Sequence, residues 1–360
     1  MSKSNNYCVI MAGGIGSRFW PMSTQKYPKQ FQDILGTGRT MIQQTFDRIS
    51  KIVAPENIFV ITNKEYISLT EEQLPQLQSA NIVGEPMMKN TAACNIFMAK
   101  KIAHINPDAN IIVLPADHLI LKENTFLEKV QLAFNLAAKN DYLITLGIEP
   151  TRPDTGFGYI QFVEKKNSEY FKVKTFTEKP DLEIAKTFLE SGDFLWNAGI
   201  FIWNVQSILS AFTEHLPEMT QNFDSCDYNT ENEIGCINVI YPKVNKISID
   251  NGILEKAQNV YVIPSDLGWS DLGTWTSVFE NAEKDSFNNA VKSKHIVTYN
   301  STGNVIKLKN ENKAAVIDGL ENYIIVDTDT ALLICPRDND QLIKDYIQDL
   351  KTIKKGEKFL

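Results

Sequence analysis

Short apolar runs alternate with helix-spaced apolar positions along the first 150 residues of the chain. Strands are predicted at residues 6–11, 58–62, 81–84, 111–114 and 142–147, and helices at 65–74, 91–105 and 125–138. Such alternation is typical of βαβ units, which form a largely parallel sheet and bind ligands at the carboxyl ends of its strands. The pattern therefore predicts an α/β fold with a site at that edge of the sheet.

Two later segments depart from this alternation. Residues 155–204 form aromatic-rich strands around one helical segment, 182–191, and this favours a sheet extension that completes a pocket. After Asp285, short β-like runs are predicted at residues 295–299, 304–308, 314–317, 323–326 and 331–334, followed by a helix within 339–355. We expect a catalytic domain over residues 1–285 and a small β-rich C-terminal domain with a final helix over 286–360.

Composition and charge restrict the partners of the chain. Its 36 Lys and Arg residues against 44 Asp and Glu residues give a net charge of −8, which opposes binding to nucleic acids or anionic membranes. No window reaches the roughly 18 apolar residues of a membrane span, and we expect no signal peptide. The five cysteines are scattered without metal-ligand spacing. We expect a cytoplasmic protein with reduced, mostly buried thiols.

A glycine-rich loop follows the first predicted strand. Gly13, Gly14 and Gly16 would let backbone N–H groups approach a polyphosphate, and Arg18 and Lys29 would supply cations. The loop is neither a Walker A motif nor a GxGxxG dinucleotide turn. Taken alone, it is equally compatible with a structural turn.

The residues around this loop carry a family resemblance. The loop with Trp20-Pro21 and Pro28-Lys29-Gln30-Phe31 resembles the opening of the sugar-nucleotide pyrophosphorylases, specifically the mannose-1-phosphate guanylyltransferases. Further blocks resemble the family in the same order, at residues 84–92, 114–118, 147–160, 176–180, 195–201 and 268–275. The resemblance implies transfer of GMP from GTP to mannose 1-phosphate, with GDP-mannose and pyrophosphate as products. It also implies a Rossmann-like nucleotidyltransferase domain with a mixed, mainly parallel sheet, and a C-terminal β appendage for which a β-helix is one possible arrangement.

The resemblance further implies a set of site residues. Arg18, Lys29, Asp117 and Asp271 would be catalytic, and the two aspartates would bind Mg²⁺, which prefers oxygen ligands. Nucleotide contacts are expected from Ala12, Gly13, Gly14, Gly16, Glu85, Asn90 and Thr91. Sugar-phosphate contacts are expected from Gly147, Thr155, Gly156, Tyr159, Glu178, Lys179 and Asn197. The Glu85 carboxylate suits guanine, whose N1–H and N2–H donors adenine and uracil lack.

Ordinary structural roles are open for several of these residues. Asp117 could form an Asx turn or cap the segment that follows it, and Asp271 could cap a helix over residues 272–281. Glu178 and Lys179 could form a surface ion pair, and Asn197 could belong to a turn.

The sequence departs from the family's pattern at two positions. Lys89 stands where the pattern has Arg, and Ala93 stands where Pro is usual. Lysine keeps the positive charge but lacks the planar, bidentate fork of arginine. A bidentate contact at residue 89 is therefore not expected.

Two alternative functions fit much of the same pattern. One is a pyrophosphorylase for another hexose 1-phosphate or nucleotide, although Trp20 and Gln30-Phe31 favour the guanylyl branch. The other is a non-catalytic homologue that binds sugar nucleotides. This second alternative is disfavoured because the chain has all four catalytic candidates, Arg18, Lys29, Asp117 and Asp271. A protein that only binds sugar nucleotides would not need the whole set. A homodimer is one possible assembly.

Overall fold

A computed structural model describes residues 5–310 and 312–360, whose contacts group them into two compact units. The first unit contains the residues up to Gly13, Thr45–Ala116 and Ile120–Trp269. The second contains Gly14–Gln44, Asp117–Leu119 and Ser270–Leu360. The glycine-rich loop is thus grouped with the C-terminal part of the chain. The division into domains at residue 285 stays a prediction.

The described residues form strands and helices at nearly all of the predicted positions. The strands are β1 (Asn6–Ala12), β2 (Ile58–Asn63), β3 (Ile82–Glu85), β4 (Asn110–Pro115), β5 (Leu119–Ile120), β6 (Leu143–Ile148), β7 (Tyr159–Val163), β8 (Phe171–Thr177), β9 (Phe194–Asn204), β10 (Val260–Pro264), β11 (Trp269–Ser270), β12 (Ala290–Val291), β13 (Ile296–Tyr299), β14 (Val305–Leu308), β15 (Ala315–Asp318), β16 (Tyr323–Asp327) and β17 (Leu332–Pro336). The helices are α1 (Met41–Ile49), α2 (Ile67–Gln73), α3 (Thr91–Ile105), α4 (Glu123–Ala137), α5 (Leu182–Ser191), α6 (Val205–His215), α7 (Pro217–Asp224), α8 (Glu233–Ile240), α9 (Trp275–Asn281) and α10 (Ile343–Thr352).

A single mixed sheet organises the first unit, in the order β3-β2-β1-β4-β9-β6-β10-β8-β7. The first four strands are parallel, as the βαβ pattern predicts. Strand β9 then runs antiparallel to β4, β6 and β7, and β8 runs antiparallel to β7 and β10. The prediction of a mixed sheet is confirmed, but "mainly parallel" is wrong for this second half. The alternation of apolar residues along a strand is the same in either direction, so it does not encode strand direction.

Helix α3 is the central helix of the first unit's core. Asn90 caps its start by accepting a hydrogen bond from the Thr91 N–H at 2.8 Å. The helix is buried on almost every side, and its Phe97 ring packs against Phe223 and Tyr241. Helices that are apolar all round require cover on all sides. Here α6 and α7 supply part of that cover.

The second unit combines short, mainly parallel strands with buried apolar clusters. Strands β12, β14 and β16 pair in parallel, β17 joins β16 antiparallel, and β13 pairs in parallel with β15. One buried cluster contains Phe19 and Trp20 from the glycine-rich segment together with Trp275, Ile324 and Ile343. The core of this unit therefore unites residues from both ends of the sequence.

The cysteines differ in part from their prediction. Cys8, Cys94 and Cys335 are free and buried, as expected. Cys226 and Cys236, however, form a disulfide with their Cα atoms 5.7 Å apart, so the prediction of reduced thiols is wrong for this pair. One cysteine follows α7 and the other lies in α8, and the packing of these two helices brings them together. None of the described helices has the length and apolar character that crossing a membrane would require.

A buried ion pair joins α3 to α8. The Lys101 ammonium lies 2.8 Å from both carboxylate oxygens of Glu233, and the two residues are only 7% and 8% exposed. Asn229 completes the arrangement, since its backbone N–H donates to Glu233 and its amide donates to the Lys101 carbonyl. Each buried charge is thereby matched by a partner and by hydrogen bonds.

Replacing Lys101 by Met should destabilise the fold by about 3–5 kcal/mol, because the Glu233 carboxylate would stay buried without its counter-ion. The neighbouring Lys100→Met change is a matched control. Lys100 pairs with Asp224, whose side chain is 52% exposed, so its loss should cost less than about 1 kcal/mol. Urea unfolding of both variants measures the difference. Equal losses of stability would contradict the assignment.

Candidate active site

The glycine-rich loop and Lys29 fit closely together in the second unit. Gly16 has a φ of 70°, which favours glycine, and a Cβ atom there would collide with the Lys29 side chain. The Lys29 N–H donates to the Ile15 carbonyl at 3.1 Å. Glycine at position 16 is therefore what lets the chain carrying Lys29 pass this close to the loop.

Lys29 in turn connects the two aspartates that the sequence predicts as metal ligands. It is 3% exposed, and its Nζ donates to Asp117 Oδ2 and to the Asp271 backbone carbonyl, both at 2.8 Å. These contacts bring three of the four predicted catalytic residues together. They come from positions far apart in the sequence.

Asp117 is held as a carboxylate. Burial raises the pKa of Asp117, but the Lys29 ammonium and, more weakly, His118 oppose this effect and hold the pKa below its usual range. The Asp117 side chain remains 35% exposed. It therefore presents a negative oxygen donor to the space beside it at neutral pH.

Asp271 does not cap a helix. Its Oδ1 accepts a hydrogen bond from the Gly273 N–H at 3.0 Å, which forms a tight turn. Helix α9 is capped instead by Thr274. The Thr274 hydroxyl accepts a hydrogen bond from the Ser277 N–H, and the Ser277 hydroxyl accepts one from the Thr274 N–H. The alternative interpretation of Asp271 as the helix cap is wrong.

A cavity of about 300 Å³ lies beside these groups in the second unit. It is lined by Gly16, Ser17, Arg18, Phe19, Lys29, Asp117, His118, Asp271, Gly273 and Lys344. All four predicted catalytic residues therefore border one space. Arg18 Nε is buried and has no hydrogen-bond acceptor among the described residues. A buried donor of this kind favours an anionic ligand at the cavity.

The donors in the cavity fit a magnesium ion. Two aspartates offer oxygen ligands, and no cluster of three or more His, Cys, Asp or Glu side chains suited to a metal occurs in the described part of the chain. Mg²⁺ is commonly held by one or two carboxylates, with waters and substrate phosphates completing its shell. A site with two carboxylates matches that pattern, whereas a structural zinc site would require more protein ligands.

The predicted nucleotide-binding residues fall in both units. Ala12 and Gly13 stand at the end of β1 in the first unit, whereas Gly14 and Gly16 belong to the second. Glu85, Asn90 and Thr91 lie in the first unit, at the carboxyl end of β3 and the start of α3. Glu85 is buried, and its Oε1 accepts a hydrogen bond from the Tyr241 hydroxyl at 2.9 Å. Burial raises the pKa of Glu85 to about 7, against a smaller opposing effect of that hydrogen bond. Asn90 is the exposed cap of α3, and the Thr91 hydroxyl accepts from the Ile249 N–H at 2.8 Å.

Lys89, which stands where the family's pattern has arginine, bonds to backbone carbonyls in the first unit. Its ammonium donates to the backbone carbonyls of Val244 at 2.9 Å and Pro242 at 3.3 Å. It thereby holds the segment that follows α8. A point-like ammonium can make these two contacts without the planar fork of arginine.

The predicted sugar-binding residues Asn197 and Glu178 both lie beside Gly158 in the first unit. Asn197 pairs with Gly147 in the sheet, and its Oδ1 accepts from the Thr145 hydroxyl at 3.2 Å and the Gly199 N–H at 3.0 Å. Its Nδ2 donates to Asp250 Oδ1 at 2.9 Å. These bonds fix the orientation of the amide and leave one N–H for a ligand.

Asp250 is a residue that the sequence-based site does not include. Burial raises the pKa of Asp250 to about 6, with a further increase from the nearby charge of Glu178. A buried carboxyl group whose pKa is raised by burial and by a nearby carboxylate is typical of functional sites. Asp250 lies outside the seven ordered sequence blocks, and its bond to Asn197 joins residues 53 positions apart, which a local pattern does not show.

The other predicted sugar-binding residues differ in accessibility. A Cβ at Gly147 would clash with Val262 and Leu195, so only glycine fits there. Thr155 and Gly156 lie in an exposed loop. Lys179 forms an ion pair with Glu178, as the structural alternative for that pair predicts.

Tyr159 is the residue whose environment fits a sugar contact least. It is fully buried in an apolar cluster with Phe194 and Trp196, and its hydroxyl donates to the Asp154 carbonyl at 3.0 Å. Its predicted contact with the sugar stays a prediction, and this burial argues against it.

Comparison with known proteins places these features in a family. Residues 7–287 match the family model described as nucleotidyl transferase. The chain is 34% identical over 358 residues to the mannose-1-phosphate guanylyltransferase of Klebsiella pneumoniae, covering 97% of this chain and 74% of that protein. It is 35% identical to the mannose-1-phosphate guanylyltransferase RfbM of Salmonella typhimurium, covering 97% of this chain and 73% of that protein.

A solved structure agrees with these sequence relatives. The crystal structure of a mannose-1-phosphate geranyltransferase from Thermus thermophilus superposes with a TM-score of 0.84 at 25% identity, covering 97% of this chain and all of that one. The shared fold, the ordered sequence blocks and the sequence relatives agree. This chain belongs to the nucleotidyl transferase family, within its mannose-1-phosphate guanylyltransferase branch.

Proposed function

We propose that this chain transfers GMP from GTP to mannose 1-phosphate, with GDP-mannose and pyrophosphate as products. The observation that carries the proposal is the cavity at which Arg18, Lys29, Asp117 and Asp271 converge. The names of the sequence relatives supply the substrates. A protein that only binds sugar nucleotides would not require this convergence of two cations with two carboxylates.

In the proposed reaction, a phosphate oxygen of mannose 1-phosphate attacks the α-phosphorus of GTP. The bond from that phosphorus to the bridging oxygen breaks, and its electron pair leaves with pyrophosphate. The nucleophile is already an anion, so no protein base is required. Catalysis of such a transfer rests on positioning and on positive charge around the phosphoryl oxygens.

Lys29 and Arg18 are the proposed sources of that charge within the protein. A lysine ammonium has three N–H donors, and two of those on Lys29 are used by Asp117 and Asp271. The third would bind a phosphate oxygen from a fixed direction. Asp117 and Asp271 would hold Mg²⁺, which when bound adds positive charge beside the reacting phosphates.

Substrate recognition is proposed for the side chains of the first unit. Glu85, Asn90 and Thr91 would contact the nucleotide. Glu178 and Asn197 would contact the sugar hydroxyls, supported by the fixed Asn197 amide and its Asp250 partner.

Three further features complete the proposal. The parallel pairing of β12 with β14 and β16, and of β13 with β15, supports a short β-helix in the C-terminal part of the chain. Homodimer formation and a cytoplasmic location stay predictions.

A substrate panel tests the proposed function directly. The purified chain should release pyrophosphate with GTP, Mg²⁺ and mannose 1-phosphate, and GDP-mannose should appear in equal amount. ATP, UTP and dTTP, and glucose 1-phosphate in place of mannose 1-phosphate, are the controls. Preference for another pair would favour a different pyrophosphorylase, and no turnover with any pair would favour a binding protein.

Asp117→Asn and Asp271→Asn should each lower kcat by about 100-fold or more, because each removes one preorganised charge from the cavity. Neither change alters side-chain volume appreciably, so circular dichroism should show both variants folded at the assay temperature. The melting temperature of Asp271→Asn should stay close to wild type, whereas that of Asp117→Asn should fall, because it removes the counter-ion of the buried Lys29. Steady-state kinetics over a Mg²⁺ titration provides the measurement. A variant with wild-type kcat at saturating Mg²⁺ would remove that residue from the proposed metal site.

Glu178→Gln should raise KM for mannose 1-phosphate and narrow the mannose-to-glucose ratio of kcat/KM, while KM for GTP stays nearly constant. Mannose and glucose differ only in the orientation of the 2-hydroxyl, so a polar group that pairs with one epimer must discriminate them. Lys179→Met is the control for loss of the ion pair alone. An unchanged epimer ratio in Glu178→Gln would leave Glu178 with only a structural role.

A further inference from the structure

The C-terminal helix α10 packs directly on the glycine-rich segment of the second unit. Ile343, at its start, is fully buried in the cluster that contains Phe19 and Trp20, and α10 contacts the helical turn Ser17–Phe19. Further along, Trp20 Nε1 donates to the Phe359 carbonyl at 2.7 Å. The sequence predicts this helix from apolar spacing at Leu342, Ile343, Tyr346, Ile347 and Leu350. Of these, only Leu342 is largely exposed.

The start of α10 is also fixed from a second direction. The turn Arg337–Leu342 precedes it, and there Asp340 accepts a hydrogen bond from the Thr276 N–H at 3.3 Å. The Thr276 hydroxyl donates to the Arg337 carbonyl at 3.3 Å, and the Arg337 guanidinium lies 3.8 Å from the centre of the Phe279 ring. Thr276 and Phe279 belong to α9, which begins shortly after Asp271. The start of α10 is therefore held both by the turn Ser17–Phe19 and by helix α9.

Lys344 follows buried Ile343 and lines the cavity with Arg18, Lys29, Asp117 and Asp271. Its own side chain is exposed to solvent. The backbone around it is held by packing on both sides, so the side chain starts from a fixed position at the edge of the cavity.

The charges in the cavity give Lys344 a specific role. Arg18 and Lys29 match the carboxylates of Asp117 and Asp271 in number, and Lys344 adds a further positive charge at the edge of the cavity. A polyphosphate carries several negative charges and requires an excess of positive charge to be held. Lysine commonly binds phosphate as a point charge.

We propose that Lys344 is a third phosphate-binding cation, which contacts the part of GTP that leaves as pyrophosphate. Its helix packs on Ser17–Phe19, so it approaches from the side of the glycine-rich loop. When the bond to the bridging oxygen breaks, negative charge develops on that leaving group, and the Lys344 ammonium stabilises it. The identification of the ligand rests on the proposed function, whereas binding of pyrophosphate itself can be measured without it.

The test compares Lys344→Met with Lys351→Met in pyrophosphate binding. Both lysines lie on α10, but Lys351 is outside the cavity and bonds Gln348 at 3.2 Å. Methionine keeps the aliphatic stem and removes the charge. A hydrogen bond to a charged group contributes about 1.5–3 kcal/mol, so Lys344→Met should weaken binding about 10- to 100-fold. Lys351→Met should change it less than 2-fold, and Lys344→Arg should recover most of the loss. Calorimetric titration with magnesium pyrophosphate gives the dissociation constants.

Kinetic and stability measurements distinguish a lost phosphate contact from a folding defect and from an effect on mannose 1-phosphate. In the forward reaction, Lys344→Met should lower kcat/KM for GTP about 10-fold or more while KM for mannose 1-phosphate changes less than 2-fold. Its melting temperature should equal that of Lys351→Met, which excludes a folding defect. Equal pyrophosphate affinity in the two variants would overturn the proposal, as would an effect confined to mannose 1-phosphate. Weaker pyrophosphate binding in Lys344→Met, together with a wild-type chain that makes no GDP-mannose, would uphold the phosphate contact and reject the proposed function.

Discussion

The buried ammonium of Lys29 is the interaction on which the candidate active site depends. It is almost inaccessible to solvent, and it is compensated by the Asp117 carboxylate and the Asp271 carbonyl. An uncompensated buried charge would be very costly, so these contacts bind three distant chain segments together. The same contacts keep Asp117 ionised and fix the direction in which the third ammonium N–H points. The same atoms thus serve a structural ion pair and the proposed phosphate site.

Asn197, Glu178 and Asp250 of the first unit, where sugar contacts are proposed, follow a different principle. Asn197 is held by three hydrogen bonds, whereas Asp250 and Glu178 are carboxyl groups near each other with little solvent to screen them. Mutual repulsion and burial both favour a proton on Asp250 as the pH falls towards 6. A rigid amide beside an adjustable carboxyl pair is suited to recognising hydroxyl groups, because hydroxyls both donate and accept hydrogen bonds.

The C-terminal part of the chain contributes to the same unit as the glycine-rich loop. Its final helix covers Phe19 and Trp20, and its strands supply Ile324 and Val326 to the core that supports them. Protein interiors are densely packed and transmit strain, so changes in this part of the core affect the loop. The β-rich segment therefore supports the loop whose residues line the candidate cavity.

The sequence alone determined the elements whose signals are local. Helices α3 and α5 match their predicted bounds, residues 91–105 and 182–191, because apolar spacing and capping residues act within a few positions. It also identified the four catalytic candidates, through a family resemblance that spans most of the chain. Tertiary structure decided what depends on distant pairing. Examples are the antiparallel pairing of β9 with β4, the hydrogen bond from Tyr241 to Glu85, the bond from Asn197 to Asp250, and the position of Lys344 at the cavity. Each of these brings together segments that are far apart in sequence. No local pattern encodes such pairs, because they form only when the packing of whole elements brings them together.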